Sequence, residues 1–297
     1  MTMSKLKTVS SLLVASSLLV SGVSRAGESL LGSNTEGMRH YVSYGAEYYK
    51  WDESVDNMDG KYVAEHGPRL RVNFGSNNYL GTKNSLDTQS GLLKAWDMSV
   101  MFGIVRYKGS TLDDQANVPN GSLKGKTYYT GYSADMTRGY RYRASDSVSF
   151  DMKGALGGQA WLRNIRSDDV YIASENTTRN YNAVEVTLQP YAKASLGTNW
   201  QMTADSRLSL EGGALYPIKT WTHSNQGSVW LEPKSKLSPF TSLTWNINKD
   251  VFVKASYVHQ KYGKSDEKQG DLNGRTVGYY QPATTTSTLG LEVGFYF

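Results

Sequence analysis

Most of the side chains with chemical potential in this 297-residue chain are four histidines, three carboxylate pairs and a Thr/Ser run at 284–288. His40, His66, His223 and His259 never fall in a metalloprotease-type His-Glu-x-x-His spacing, so no metal ligand is expected. The chain has no cysteine, which excludes disulfides, thiolate metal sites and dithiol redox motifs. Asp113-Asp114, Asp168-Asp169 and Asp266-Glu267 lie in hydrophilic stretches. Converged carboxylates can share a proton or hold calcium, but no stretch has EF-hand spacing, and they read as solvated charge. The sharpest pair is His259 and Ser287. His259 shares the apolar parity of Val251, Val253, Ala255 and Tyr257. A hairpin folding 283–297 back over this segment brings His259 opposite Thr286, within one step of Ser287 and Thr285. A histidine beside a serine can serve as its general base. No acidic or amide orienter is identifiable on that face, so the simpler reading is a rim histidine beside a Thr/Ser-rich strand start.

The elements that would position these groups begin after a targeting segment. Lys5 and Lys7 form a short basic region, Val9–Val20 is apolar apart from Ser and Ala, and Ser24-Arg25-Ala26 supplies small residues at a cleavage site. Residues 1–26 are therefore expected to be a signal peptide. Residues 27–38 would be a short periplasmic segment and 39–297 the folded domain. The net charge of +5 falls to +2 in the mature chain, with 29 basic and 27 acidic residues, and no nucleic-acid footprint is visible.

The dominant period of the mature chain is two. Val184, Val186, Leu188, Ala192, Ala194 and Leu196 alternate with Glu185, Thr187, Gln189, Lys193 and Ser195. A strand puts successive side chains on opposite faces. Ten such segments occur, at about 39–51, 67–75, 92–107, 127–137, 148–163, 183–196, 206–221, 235–247, 251–262 and 283–297. Long hydrophilic connections at 52–66, 108–126, 164–182, 222–234 and 263–282 alternate with mostly shorter ones.

Such a pattern suits either a soluble sandwich or a membrane barrel whose apolar face meets lipid. Strand length, alternating loop length and aromatics near the segment ends favour the barrel. Trp51, Tyr107, Tyr128, Trp221 and Tyr262 would form an outer girdle, and Phe74, Trp96, Phe150, Trp245 and Phe297 an inner one. The expected fold is all-β, an antiparallel transmembrane barrel of about ten strands.

The terminal Gly290-Leu291-Glu292-Val293-Gly294-Phe295-Tyr296-Phe297 resembles the C-terminal strand signature of bacterial outer-membrane β-barrels. The resemblance implies an outer-membrane location and recognition by the barrel assembly machinery through Leu291, Val293, Phe295 and Phe297. Ten strands also look like the omptin proteases and the ten-stranded adhesins, but the sequence offers no omptin-type active-site match beyond scattered Asp and His, so that activity is not carried over. The inward parity holds Glu47, Asp97, Asp135, Asp151, Glu185, Glu211 and Glu292 against Arg69, Arg71, Lys153, Lys193, Arg207, Lys236 and Lys254. This balanced set reads as a salt-bridged, plugged lumen with an envelope or surface-interaction role. A narrow porin-like channel is the alternative. A lipid hydrolase using His259 and Ser287, as outer-membrane lipid hydrolases use a lipid-facing Ser–His pair, comes third. No cofactor is expected. Outer-membrane lipid, lipopolysaccharide and surface ligands of the long loops are the expected partners.

Overall fold

The computed structural model describes residues 37–55, 62–79, 90–112, 119–172, 177–225, 228–272 and 275–297; residues 1–26, expected as a signal peptide, and most of 27–38 lie outside them. Among the described residues the chain forms strands and no helix. In chain order these are β1 (Arg39–Ser54), β2 (Val63–Asn77), β3 (Gly91–Leu112), β4 (Pro119–Arg143), β5 (Val148–Ile172), β6 (Thr177–Gln201) and β7 (Arg207–Pro217). There follow three short strands, β8 (Trp221–Ser224), β9 (Trp230–Leu231) and β10 (Lys234–Ser235), then β11 (Ser238–Asn246) and β12 (Val251–Gly263). A small hairpin, β13 (Lys268–Leu272) and β14 (Arg275–Tyr279), precedes β15 (Ala283–Tyr296).

Ten of these strands make one closed antiparallel ring, in the order β5-β4-β3-β2-β1-β15-β12-β11-β7-β6, with β6 pairing back to β5. Closure leaves no strand edge in the wall, which a bilayer requires of any β-structure crossing it. The register fixes the shape. Following directly opposed residues from Thr198 on β6 passes Leu210, Leu243, Ala255, Leu291, Ala46, Leu70, Phe102, Thr130 and Leu162. The path returns to β6 at Val186, a displacement of twelve residues along the strand. For ten strands that stagger corresponds to a tilt of about 40°, within the usual barrel range. Apart from the two threonines, this spiral is apolar, and Leu70, Phe102, Leu210, Leu243 and Leu291 are exposed on the outside. The inside carries the polar parity.

Several expected boundaries move. The connections expected at 108–126 and 164–182 are largely continued strand, since β3 runs to Leu112, β4 starts at Pro119, β5 runs to Ile172 and β6 starts at Thr177. Strands of 25 residues far exceed the roughly 9–11 that cross a bilayer. Hydrophilic composition marks the part of a strand beyond the lipid, and does not mark its end. The connections expected at 222–234 and 263–282 likewise contain β8–β10 and the β13–β14 hairpin, while β7 stops at Pro217. The expected outer girdle also changes, because Trp51, Tyr107 and Tyr262 are buried inside the barrel. The aromatics facing outward near that rim are Tyr48, Tyr128, Tyr216 and Tyr257.

The two faces differ in what a new charge would meet. Leu291→Lys places an ammonium in lipid and is expected to cost about 2–4 kcal/mol. Ser242→Lys projects into the lumen beside Glu211, its cross-strand neighbour, and should cost far less. Urea unfolding in detergent micelles measures both, and equal losses would assign the faces wrongly.

Candidate functional site

The lumen holds three tiers of charge. Toward the long loops, Arg163 on β5 is the centre. Its Nη2 donates to Glu65 Oε1 at 2.8 Å, and its Nη1 lies 2.5 Å from Glu185 Oε2 and 3.5 Å from Glu53 Oε1. These carboxylates come from β1, β2 and β6, so one guanidinium ties four strands. Its carbon sits 4.1 Å from the Trp51 ring centre, and Arg69 sits 3.7 Å from that of Tyr49. Thr127 Oγ1 donates to Glu65 at 2.8 Å, Tyr129 donates to the other oxygen, and Trp51 Nε1 donates to Glu53 at 2.8 Å. Arg163, Glu65 and Tyr129 are all but fully buried. Inward glycines make the room: a Cβ on Gly103 would stand 2.7 Å from Arg69 Cγ, and one on Gly157 2.6 Å from Asp135 Cβ.

The middle tier is made of separate small groups. Glu47 accepts from Arg69 at 2.8 Å, and its other oxygen lies 2.5 Å from Arg71 Nε. Lys193 meets Asp135 and Lys153 meets Glu211, each at 2.5 Å. Lys254 lies 3.5 Å from Glu292. Tyr41 donates to Asp97. A cavity of about 400 Å³ remains among Arg71, Asp97, Lys153, Glu211, Lys254 and Glu292.

The tier nearest the short turns holds the Arg141–Asp151 pair, bonded through Nε and Nη2 at 2.6 and 2.7 Å. Arg207 lies buried at the same end, and its Nε and Nη1 have no hydrogen-bond partner among the described residues. The salt bridge expected of it is not formed among the described residues.

Thirteen of the fourteen charges read as interior therefore face the lumen. Lys236 does not: β11 starts only at Ser238, and Lys236 is exposed before it. Conversely, Glu53, Glu65, Arg141 and Arg163 face inward and were not in that set. The first three lie beyond the expected strand ends, and Arg163 closes its expected segment. The signal was available, since all four continue the inward parity of their strands.

On the outer wall, β12 and β15 set His259 directly opposite Ser287, one residue from the expected register. His259 Nδ1 lies 3.0 Å from Ser287 Oγ. The Tyr257 ring stacks beside the imidazole, and its hydroxyl is 3.4 Å from the same Oγ. No carboxylate or amide orients the other ring nitrogen among the described residues. His223 packs on Trp230, and His40 and His66 are exposed. Asp266 pairs with Lys234 at 3.0 Å; Asp113-Asp114 and the side chains of Asp168-Asp169 lie outside the described residues.

No protein-family model matches the chain, and no curated protein matches it. Solved structures do. The outer membrane protease OmpT from Escherichia coli aligns over 89% of this chain and 98% of its own, with a TM-score of 0.55 and 6% identity. The translocator domain of the autotransporter NalP from Neisseria meningitidis aligns over 98% of both chains at 0.41 and 12% identity. The toluene transporter TodX from Pseudomonas putida aligns over 88% and 89% at 0.37 and 9% identity. At these identities the likeness is one of fold, and of the three the OmpT superposition is close enough to carry it. The chain thus has the fold of the bacterial outer-membrane β-barrels, and its outward apolar band seats it in that membrane. No narrower subfamily is evident.

Removing one member of a buried charge cluster strands the rest. Arg163→Met should lower stability by about 3–5 kcal/mol. Lys219→Met, which breaks a half-exposed pair with Glu232, should cost about 0–1 kcal/mol. Denaturant unfolding followed by tryptophan fluorescence compares them, and a similar small loss for both would remove Arg163 from the centre of the outer tier.

Proposed function

We propose that this protein is a non-conducting outer-membrane barrel with an envelope or surface-interaction role, its lumen plugged by its own charged side chains and its outer loops free to engage partners. The observation that carries the reading is the buried Arg163 cluster, which joins four strands across the interior. A selective pore usually biases its lining toward one sign of charge. Here four of the five middle-tier carboxylates meet a cation, and in the outer tier Arg163 is almost fully buried. Planar-bilayer recording of refolded protein tests the reading. The wild type should show little or no steady conductance, and Arg163→Ala combined with Trp51→Ala should raise it by opening the outer tier. A large, steady wild-type conductance that these substitutions leave unchanged would establish a narrow channel instead.

One observation favours a second reading, a lipid hydrolase acting from the wall. His259 Nδ1 at 3.0 Å from Ser287 Oγ is within proton-transfer reach, and both side chains face lipid. Lys50 lies directly across the ladder from Ser287, where a cation would favour an oxyanion. With Nδ1 accepting the serine proton, the tautomer carries hydrogen on Nε2. Release of fatty acid from phospholipid or lipopolysaccharide in mixed micelles, abolished by Ser287→Ala and by His259→Ala, would support this activity. No release by the wild type would leave the pair as a rim hydrogen bond.

A further inference from the structure

The outward face of β1 to β5 carries a continuous row of basic side chains. Lys50 is paired in register with His66, His66 with Arg106, Arg106 with Lys126, and Lys126 with Arg166. Lys108 and Lys124 stand opposite one another in the next row out. All seven are exposed. On β1, β3 and β4 the row follows directly on the outward residues Tyr48, Ile104 and Tyr128, all exposed to the bilayer side. Among the described residues one carboxylate, Asp52, accompanies the row, 3.2 Å from Lys50. Arg166 lies over the Tyr128 ring at 5.2 Å. Traced the other way, onto β15 and β12, the same row carries Ser287 and His259, so the basic stretch occupies one side of the barrel.

Like charges directly opposed across a sheet repel one another and destabilise it. A row of them is therefore tolerable where counter-charge is supplied from outside the chain. The surroundings identify the source. Adjacent strands are about 4.8 Å apart, so five strands span about 19 Å, and with a strand tilt of about 40° the row rises about 12 Å from Lys50 to Arg166. The headgroup layer of a phospholipid leaflet is thinner, about 5–7 Å. A taller headgroup with anionic groups at several depths matches the rise.

We propose that the basic row is a binding site for the phosphorylated glycolipid of the outer leaflet, with its phosphates held by Arg106, Lys126 and Arg166 and its acyl chains lying along Tyr48, Ile104 and Tyr128. Arginine suits this role, since its planar donors meet phosphate oxygens in pairs. The site holds whether or not the lumen conducts.

The test uses the refolded full barrel in lipopolysaccharide-free detergent, with three additives: phosphorylated lipopolysaccharide, the same lipopolysaccharide chemically dephosphorylated, and phosphatidylglycerol. Thermal midpoint and direct binding are read for the wild type, Arg106→Ser/Lys126→Ser, and Lys261→Ser on the far wall. Phosphorylated lipopolysaccharide should raise the midpoint of the wild type and of Lys261→Ser, and dephosphorylated material should not. The double variant should bind about twenty-five-fold more weakly, at roughly fivefold per basic side chain. Without any lipid, the double variant should be at least as stable as the wild type, because repulsion has been relieved; this reading also shows that it is folded. Unchanged binding by the double variant, an equal response to dephosphorylated material, or an equal response to phosphatidylglycerol would each overturn the proposal.

Discussion

Every backbone N–H and C=O in the hydrocarbon layer must find a partner within the protein. For a β-chain this forces closure, and closure at ten strands with a twelve-residue stagger fixes which side chains face each other. Period-two alternation then assigns each residue to lipid or lumen. The apolar spiral from Leu210 to Leu162, the basic row from Lys50 to Arg166 and the Ser287–His259 pair are rows of one ladder. None could shift by a residue without turning its side chains to the other face.

The lumen answers a second constraint. A ring this narrow crowds its interior side chains, so charges buried among them must be neutralised locally. Replacement by packed apolar groups is often as stable as a buried ion pair. Glu53, Glu65 and Glu185 are nonetheless held by Arg163, with Thr127, Tyr129 and Trp51 supplying further hydrogen bonds to the carboxylates. Such a cluster has directional requirements that an apolar core lacks, and it sets the relative positions of β1, β2, β5 and β6. Arg207 breaks the pattern, a buried guanidinium with two nitrogens unsatisfied, beside the cavity.

Alternation made the fold legible: Val184–Leu196 and Leu289–Phe297 declare two faces without reference to any partner. Strand ends were less legible, because Lys108, Lys124 and Arg166 are hydrophilic outside the lipid while their backbone continues in the ladder. That uncertainty about ends hid Glu53 and Glu65, and with them the organisation of the outer tier. It also misplaced Lys236 in the lumen. The aromatics misled differently, since Trp51 and Tyr262 sit near a rim by position along the chain yet face inward by parity. The basic row was invisible for another reason: its members are scattered over more than a hundred residues and become neighbours only when five strands are in register.

The seam of the barrel has a consequence for the time course of assembly. β1 closes on β15, with Tyr41 opposite Tyr296, so the last contact formed joins segments from nearly opposite ends of the chain. Closing so long a loop is entropically slow, and until it closes both flanking strands offer unpaired edges and apolar faces to anything nearby. The chain must therefore be shielded from its own kind while it waits, and the slow phase of refolding should belong to this seam rather than to the local hairpins β3–β4 and β5–β6, which zip from adjacent sequence.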